Sequence, residues 1–290
     1  MKTDRPDGER LGPIRTAHLR DPADTSHTMA RLPPPASVAG LVRWFWIPVW
    51  SVPAGQGVVQ KVLRYPVPLI VVTWEYARFY GVESGLSRTT LTGEGWAFGL
   101  AMQPASGRLL AGEPMSRWRD RTADLSEVLG ERGAAFTATV RRLLVDDPRD
   151  AGAQAAAVEA ARTALEPLLP VDPEGELVND VVEWIEATPH VRRIEDLTAR
   201  TGLSERSLQR LFRDRVGLGA TWVVRRRRLH EAVARLREAA HAAGDGGHAT
   251  LADVAAELGY ADQAHLTRDF RSVTGMTPGQ FLRRERGPRG

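Results

Sequence analysis

The 290-residue chain contains no cysteine. A disulfide framework, a thiolate zinc site and a cysteine nucleophile are therefore all excluded, as suits a reducing compartment. Long hydrophobic runs are missing as well: nowhere do 18 apolar residues stand together, and the first ten residues are polar. The expectation is a soluble, cytoplasmic protein with no membrane partner. Catalytic signatures are equally scarce. There is no Gly-Xaa-Ser-Xaa-Gly elbow, no His-Glu-Xaa-Xaa-His, no phosphate loop carrying Lys and Ser or Thr, and no dinucleotide fingerprint after a strand. Gly93-Glu-Gly95 and Gly244-Asp-Gly-Gly247 lack the context such loops need. No catalytic residue, metal-ligand set or cofactor is expected, and the chain reads as a non-enzyme.

What is present is unevenly spread. The net charge is +3, yet residues 191–290 hold 19 Arg against 12 Asp plus Glu, a balance of +7 that leaves −4 for the remainder. A basic block joined to an acidic one suits one domain facing phosphates and another facing something else; a solvated basic helix surface is the plainer alternative.

Within the basic block the sequence repeats. Ile194, Asp196, Leu197 and Gly202 match Leu251, Asp253, Val254 and Gly259 at an offset of 57. Leu208, Phe212, Arg213 and Gly217 match Leu266, Phe270, Arg271 and Gly275 at an offset of 58, so the second copy gained one residue in its turn or next helix. Each copy reads as helix, glycine turn and helix, with Ser204 and Asp262 placed as N-caps. The pattern is a helix-turn-helix written twice. Thr221 to Ala240 forms the helix between the copies, carrying Arg225 to Arg228 as a basic run that wraps around the helix. In the second helix of each unit Leu208, Leu211, Phe212, Leu266 and Phe270 must face the core. Glu205, Arg206, Ser207, Gln209 and Arg210 remain outward in the first, and Gln263, Ala264, His265, Thr267 and Arg268 in the second. These side chains can discriminate bases. Arg213, Arg225, Arg226, Arg228, Arg271, Arg283 and Arg284 are candidates for phosphate contact; Arg210 and Arg268 could instead pair with Asp214 and Asp269.

The segment Asp253-Val-Ala-Ala-Glu-Leu-Gly259-Tyr through Phe270-Arg and Gly275-Met-Thr-Pro278 to Arg284 resembles the signature of the AraC/XylS family of bacterial transcription regulators. Gly202-Leu-Ser-Glu-Arg-Ser-Leu-Gln-Arg-Leu-Phe212 is similar to that family's first helix-turn-helix. Thr198, where a small Ala is usual, and the insertion Gly244 to Gly247 depart from the pattern. The resemblance implies sequence-specific binding of double-stranded DNA, two successive major-groove segments, and an asymmetric site for one chain. It leaves RNA polymerase, a small-molecule effector and a second copy open as further partners.

Ahead of this block, residues 1–30 read as a mobile polar tail in which His18 and His27 are solvent-exposed. Residues 31–130 carry short β-branched and aromatic runs punctuated by Pro and Gly, and read as a β-rich regulatory or sensor domain. This stretch resembles, more weakly, the N-terminal β domain of some AraC-type regulators. Five of the eight Trp fall between Trp44 and Trp96. Such indoles ordinarily form a β core, but they can also line an effector pocket; Trp44, Trp46, Trp74, Glu75, Tyr76, Arg78 and Trp96 are the candidates. Asp120 to Leu129, Ala134 to Val145 and Ala151 to Leu168 read as helices, those from 131 on forming a helical connector over 131–173. Leu143, Leu144, Val158 and Leu165 form a seam that could serve a dimer or bridge the domains. Residues 174–290 form the DNA-binding domain. The fold class is α+β: an N-terminal β-rich domain, then an all-α domain with two helix-turn-helix units joined by a long helix. Two other readings stay open: a ligand-binding or enzymatic N-terminal domain with a secondary DNA reader, and a nonspecific architectural binder.

Overall fold

The computed structural model describes residues 19, 24–241 and 250–286. The N-terminal half is built from eight strands: β1 (His27–Leu32), β2 (Val42–Ser51), β3 (Val58–Val62), β4 (Leu69–Thr73), β5 (Ala77–Tyr80), β6 (Ser87–Leu91), β7 (Glu94–Met102) and β8 (Thr122–Asp124). Six form an antiparallel sheet in the order β1-β2-β7-β4-β5-β8, while β3 and β6 pair separately. Side chains alternate across a strand, so each strand of the large sheet serves two faces. In β2, Phe45, Ile47 and Val49 enter the main core. Trp44, Trp46 and Trp50 point the other way, into a cavity shared with β3 and β6.

Helices seal the core face. After α1 (Ser106–Ala111) and α2 (Leu125–Leu129) come α3 (Glu131–Leu144) and α4 (Ala151–Leu165). Phe136, Val140, Leu144, Val158 and Leu165 join the same apolar cluster as the sheet's Phe45, Phe98 and Leu100. The connector expected over 131–173 is therefore packed onto the β domain, and its Leu143, Leu144, Val158 and Leu165 seam is spent on that core. The helix expected from Asp120 starts only at Leu125, because Thr122–Asp124 pairs with β5 as an edge strand.

The C-terminal half holds α5 (Pro173–Ala187), α6 (Ile194–Thr201), α7 (Glu205–Arg215), α8 (Ala220–His241), α9 (Leu251–Glu257), α10 (Gln263–Thr274) and α11 (Pro278–Glu285). Gly202 and Gly259 close α6 and the α9 turn at φ 71° and 69°, a region that favours glycine. Ser204 accepts from the Ser207 N–H and Asp262 from the His265 N–H, so both recognition helices are capped as their sequence suggests. One residue separates glycine from cap in the first unit and two, Tyr260 and Ala261, in the second. The extra residue of the second copy thus lies in the turn.

Two cores meet on α8. Val223 and Val224 pack with Leu208, Phe212, Val182 and Ile185. One to three turns further on, Leu229, Val233 and Leu236 pack with Leu258, Leu266, Phe270 and Phe281. Each fully buried side chain of this size contributes about 1.5–3 kcal/mol, so α8 is held firmly against both units. The N-terminal half joins in: Val82 and Ala105 enter the first of these cores, and Leu19 and Leu63 the second. Leu19 is buried and its N–H donates to the Lys61 carbonyl at 2.9 Å. His27 opens β1 and is also buried, with Asp24 at 3.8 Å from Nδ1. Neither was expected, since both belong to the segment read as a mobile tail. His18 and the Gly244 to Gly247 insertion lie outside the described residues. Among the described residues no helix is long and apolar enough to cross a membrane.

Candidate nucleic-acid interface and regulatory cavity

The apolar stripe of α7 is turned into the core by Leu208 and Phe212, both fully buried. The opposite face carries Glu205, Arg206 and Arg210 exposed, with Ser207 and Gln209 half-buried. Gln209 donates from Nε2 to the Thr221 hydroxyl at 2.7 Å, which fixes its amide against the start of α8. On α10, Leu266 and Phe270 face inward while Gln263, Ala264, His265 and Arg268 are exposed and Thr267 is half-buried. The His265 ring meets Tyr260 edge-on at 5.2 Å. Asp214 pairs with Arg108 and Arg215, and Asp269 with Arg225 and the Tyr260 hydroxyl. Arg210 and Arg268 are therefore left without the carboxylate partners that could have claimed them.

The arginines sort into two groups. Arg213, Arg271 and Arg283 are exposed and make no ion pair among the described residues. The basic run on α8 is used internally. Arg225 pairs with Asp269 on α10 and Ser272. Arg226, only 2% exposed, donates to the carbonyls of Ser84 and Gly85 in the N-terminal half and lies 4.4 Å from the Trp222 ring centre. Burial, then neighbouring Arg225, pulls its pKa down to about 10. Arg227 bonds Glu231 and the carbonyls of Pro189 and Val191. Arg228 bonds the carbonyls of Leu258 and Gly259 in the second turn. Arg284 pairs with Glu285 beside the Phe281 ring. Of the four expected at phosphate, Arg226 is buried, whereas Arg225, Arg228 and Arg284 have intramolecular partners but keep part of their surface exposed. Four charges around one helix are instead distributed among the segments packed against it, and Arg226 is closed off from solvent.

In the N-terminal half the sheet face that carries Trp44 and Trp46, together with the β3–β6 pair, lines a cavity of about 210 Å³. Of the aromatic and polar residues expected there, Trp44, Trp46 and Tyr76 line it. Trp96 does not. The register pairs Val49 with Trp96 and Trp50 with Gly95, so Trp96 shares the core face with Val49 and is buried there. Trp74 is 61% exposed in the β4–β5 turn beside exposed Glu75. Arg78 is exposed on β5, its guanidinium 4.8 Å from the Tyr76 ring. Burial pushes the Tyr76 hydroxyl up to about 12. The sequence reading missed Trp50, Arg64, Tyr65 and Tyr80 in the lining. Strand alternation would have found Trp50, which shares parity with Trp44 and Trp46.

The cavity wall touches the helical half directly. Tyr65 stacks on His230 of α8 with ring centres 4.0 Å apart and planes 12° apart. His230 is buried, and that burial, together with Arg226, lowers its pKa to about 3, keeping the ring neutral. Arg43 pairs with Glu186 of α5 nearby.

Residues 197–284 match a family profile described as "Helix-turn-helix domain", and residues 30–124 one described as "Domain of unknown function (DUF6597)". The chain is 32% identical over 114 residues to "Probable transcription factor PqrA" of Proteus vulgaris, covering 38% of this chain and 85% of that one. It is 33% identical over 88 residues to a Streptomyces lividans protein described as "AraC-like transcription regulator", covering 30% of this chain but only 26% of that protein. ToxT of Vibrio cholerae O395 overlays 91% of this chain and 100% of its own at a TM-score of 0.38 and 10% identity, too slight a likeness to carry an argument. With two capped helix-turn-helix units on one long helix, and a relative matched over most of its length, the chain belongs to the AraC-type family of helix-turn-helix transcription regulators.

Proposed function

We propose that the chain is a sequence-specific reader of double-stranded DNA that regulates transcription, with α7 and α10 each entering the major groove. The observation that carries this reading is the pair of capped helices whose outward faces hold Arg206, Arg210 and Arg268 with no ion pair among the described residues. Arginine there can bond guanine O6 and N7, and Gln263 adenine N6 and N7; Gln209 would first have to leave the Thr221 hydroxyl. Arg213, Arg271 and Arg283 supply phosphate contacts. The two turns differ in length and the readers differ in kind, which favours an asymmetric target over a palindrome. The domain limits that fit are a regulatory unit through residue 173 and a reader from 174, with α3 and α4 belonging to the former. Tyr65 stacked on His230 supports regulation of α8 by the N-terminal half.

Footprinting on genomic fragments supplies the best site, and single alanine substitutions test the reading. Arg206→Ala, Gln209→Ala, His265→Ala and Arg268→Ala should each cost about 1–3 kcal/mol on that site and relax preference only at local bases. First-helix changes should map to one half of the site and second-helix changes to the other. Uniform weakening on all duplexes would favour the nonspecific architectural reading.

A further inference from the structure

The strap that joins β5 to β6, residues 81–86, reaches both helix-turn-helix cores. Val82 is fully buried in the first, and Leu86, four residues on, packs against the second. Between these two anchors the carbonyls of Ser84 and Gly85 accept from the buried Arg226 guanidinium. Arg226 stands where α8 passes from one core to the other: Val223 and Val224 belong to the first, Leu229 to the second, and residues 225–228 to neither. The seam between the two reading units is thus closed by a segment of the N-terminal half. None of residues 81–86 lines the cavity that holds Trp44 and Trp46.

The strap is itself braced. Asp120 accepts from the Ser84 N–H at 2.7 Å and from the Ser84 hydroxyl at 2.8 Å, and its own N–H donates to the Val82 carbonyl at 3.0 Å. Gly81 donates to the Arg121 carbonyl, and a methyl group there would lie 1.9 Å from the Trp118 carbonyl oxygen. Asp120 stands at φ 57°, the single non-glycine residue with positive φ among the described residues. A left-handed residue of this kind persists only where its surroundings hold it, and Asp and Asn accept the conformation more readily than other side chains.

We infer that residues 82–86 set the distance and phase between α7 and α10, and so form a determinant of site spacing that lies outside the DNA-binding half. The inference rests on the two-helix reading of DNA and deepens it. With the strap in place the two heads are held as one body about Arg226, and a site whose two segments are wrongly spaced is rejected. With the strap loosened, the seam is spanned by α8 and by the polar contacts of Arg225 and Arg228. Asp120→Ala removes both bonds to Ser84 at a backbone conformation that alanine disfavours. Asp120→Asn keeps an acceptor for the Ser84 N–H and accepts the conformation.

Because the chain has no cysteine, Glu205→Cys and Gln263→Cys place one spin label on each recognition helix of the full chain, both at exposed positions. Without DNA, the distances between the labels should form a single narrow distribution. Asp120→Ala and Arg226→Gln should each at least double its width, while Asp120→Asn should leave it narrow. Leu144→Ala weakens the core of the sheet and its helices, and should also leave the distribution narrow. The second arm uses the footprinted site with one base pair inserted or removed between its two segments, which turns one against the other by roughly 35°. The intact chain should lose at least about tenfold in affinity on either altered duplex, and Asp120→Ala and Arg226→Gln should bring that loss below about threefold. A change that only lowered the active fraction would weaken all three duplexes alike and keep the ratio. Widths unchanged in both loosened variants, a broad distribution in the intact chain, or a spacing dependence that neither variant relaxes would overturn the inference. Failure to footprint any site counts against the DNA reading instead, and the label distances still decide what the strap does.

Discussion

The two helix-turn-helix units share a sequence pattern but are anchored differently. At the end of α7, Gly217 has φ 92°, and a methyl group there would stand 2.6 Å from the Met115 carbonyl of the N-terminal half. At the equivalent point after α10, Gly275 has φ 75°, and the nearest foreign atom is the tip of Arg88 at 3.7 Å. At these two glycines the first unit abuts backbone of the N-terminal half and the second only a flexible side chain, although Leu19 and Leu63 also enter the second unit's core. Conversely, α10 is tied to α8 through buried Asp269, while Asp214 on α7 is a third exposed and paired at 3.5 Å.

The largest contrast should come from the glycines. Gly217→Ala combines an unfavourable left-handed residue with overpacking against fixed backbone, and should cost about 3 kcal/mol in urea unfolding. Gly275→Ala should cost about 1 kcal/mol. Equal losses would mean that the Met115 contact yields freely. Asp269→Asn removes a buried acceptor serving both Arg225 and Tyr260 and should cost about 2–3 kcal/mol. Asp214→Asn should stay within about 0.5 kcal/mol, as surface pairs do.

The link through α8 can be titrated. His230 has a folded pKa depressed to about 3, against about 6.5 unfolded, so its contribution is present above pH 6.5 and lost as pH falls toward 3. Stability should drop by about 2 kcal/mol between pH 7.5 and 5 from this residue. His230→Phe keeps the stack on Tyr65 and should flatten that part of the profile in denaturant titrations at the two pH values. The smallest effect separates the arginines. Arg213→Ala and Arg271→Ala should each reduce the slope of log affinity against log salt by about 0.9, one phosphate apiece, whereas Arg284→Ala, paired with Glu285, should leave the slope unchanged.

The helical half was legible because its signals are local. Period, glycine turn and cap all lie within about twenty residues, and Gly202, Ser204, Gly259 and Asp262 behave as their sequence suggests. The cavity was less so. Which of Trp44, Trp46, Trp74 and Trp96 face one space depends on the pairing of β2 with β7, a register that neither strand carries alone. The fate of Arg225 to Arg228 depends on carbonyls up to 142 residues away. Burial of His27 and Leu19 follows from partners such as Asp24 and Lys61, which no periodicity marks.

The alternation of β2 also bears on how such a protein can change over generations. Positions 44, 46 and 50 can vary to reshape the cavity while 45, 47 and 49, turned to the opposite side, keep the fold intact. Change in the cavity wall is thereby separated from change in the core within one ten-residue strand. An insertion or deletion inside it would exchange the two sets at once, so the strand tolerates substitution far better than any change of length.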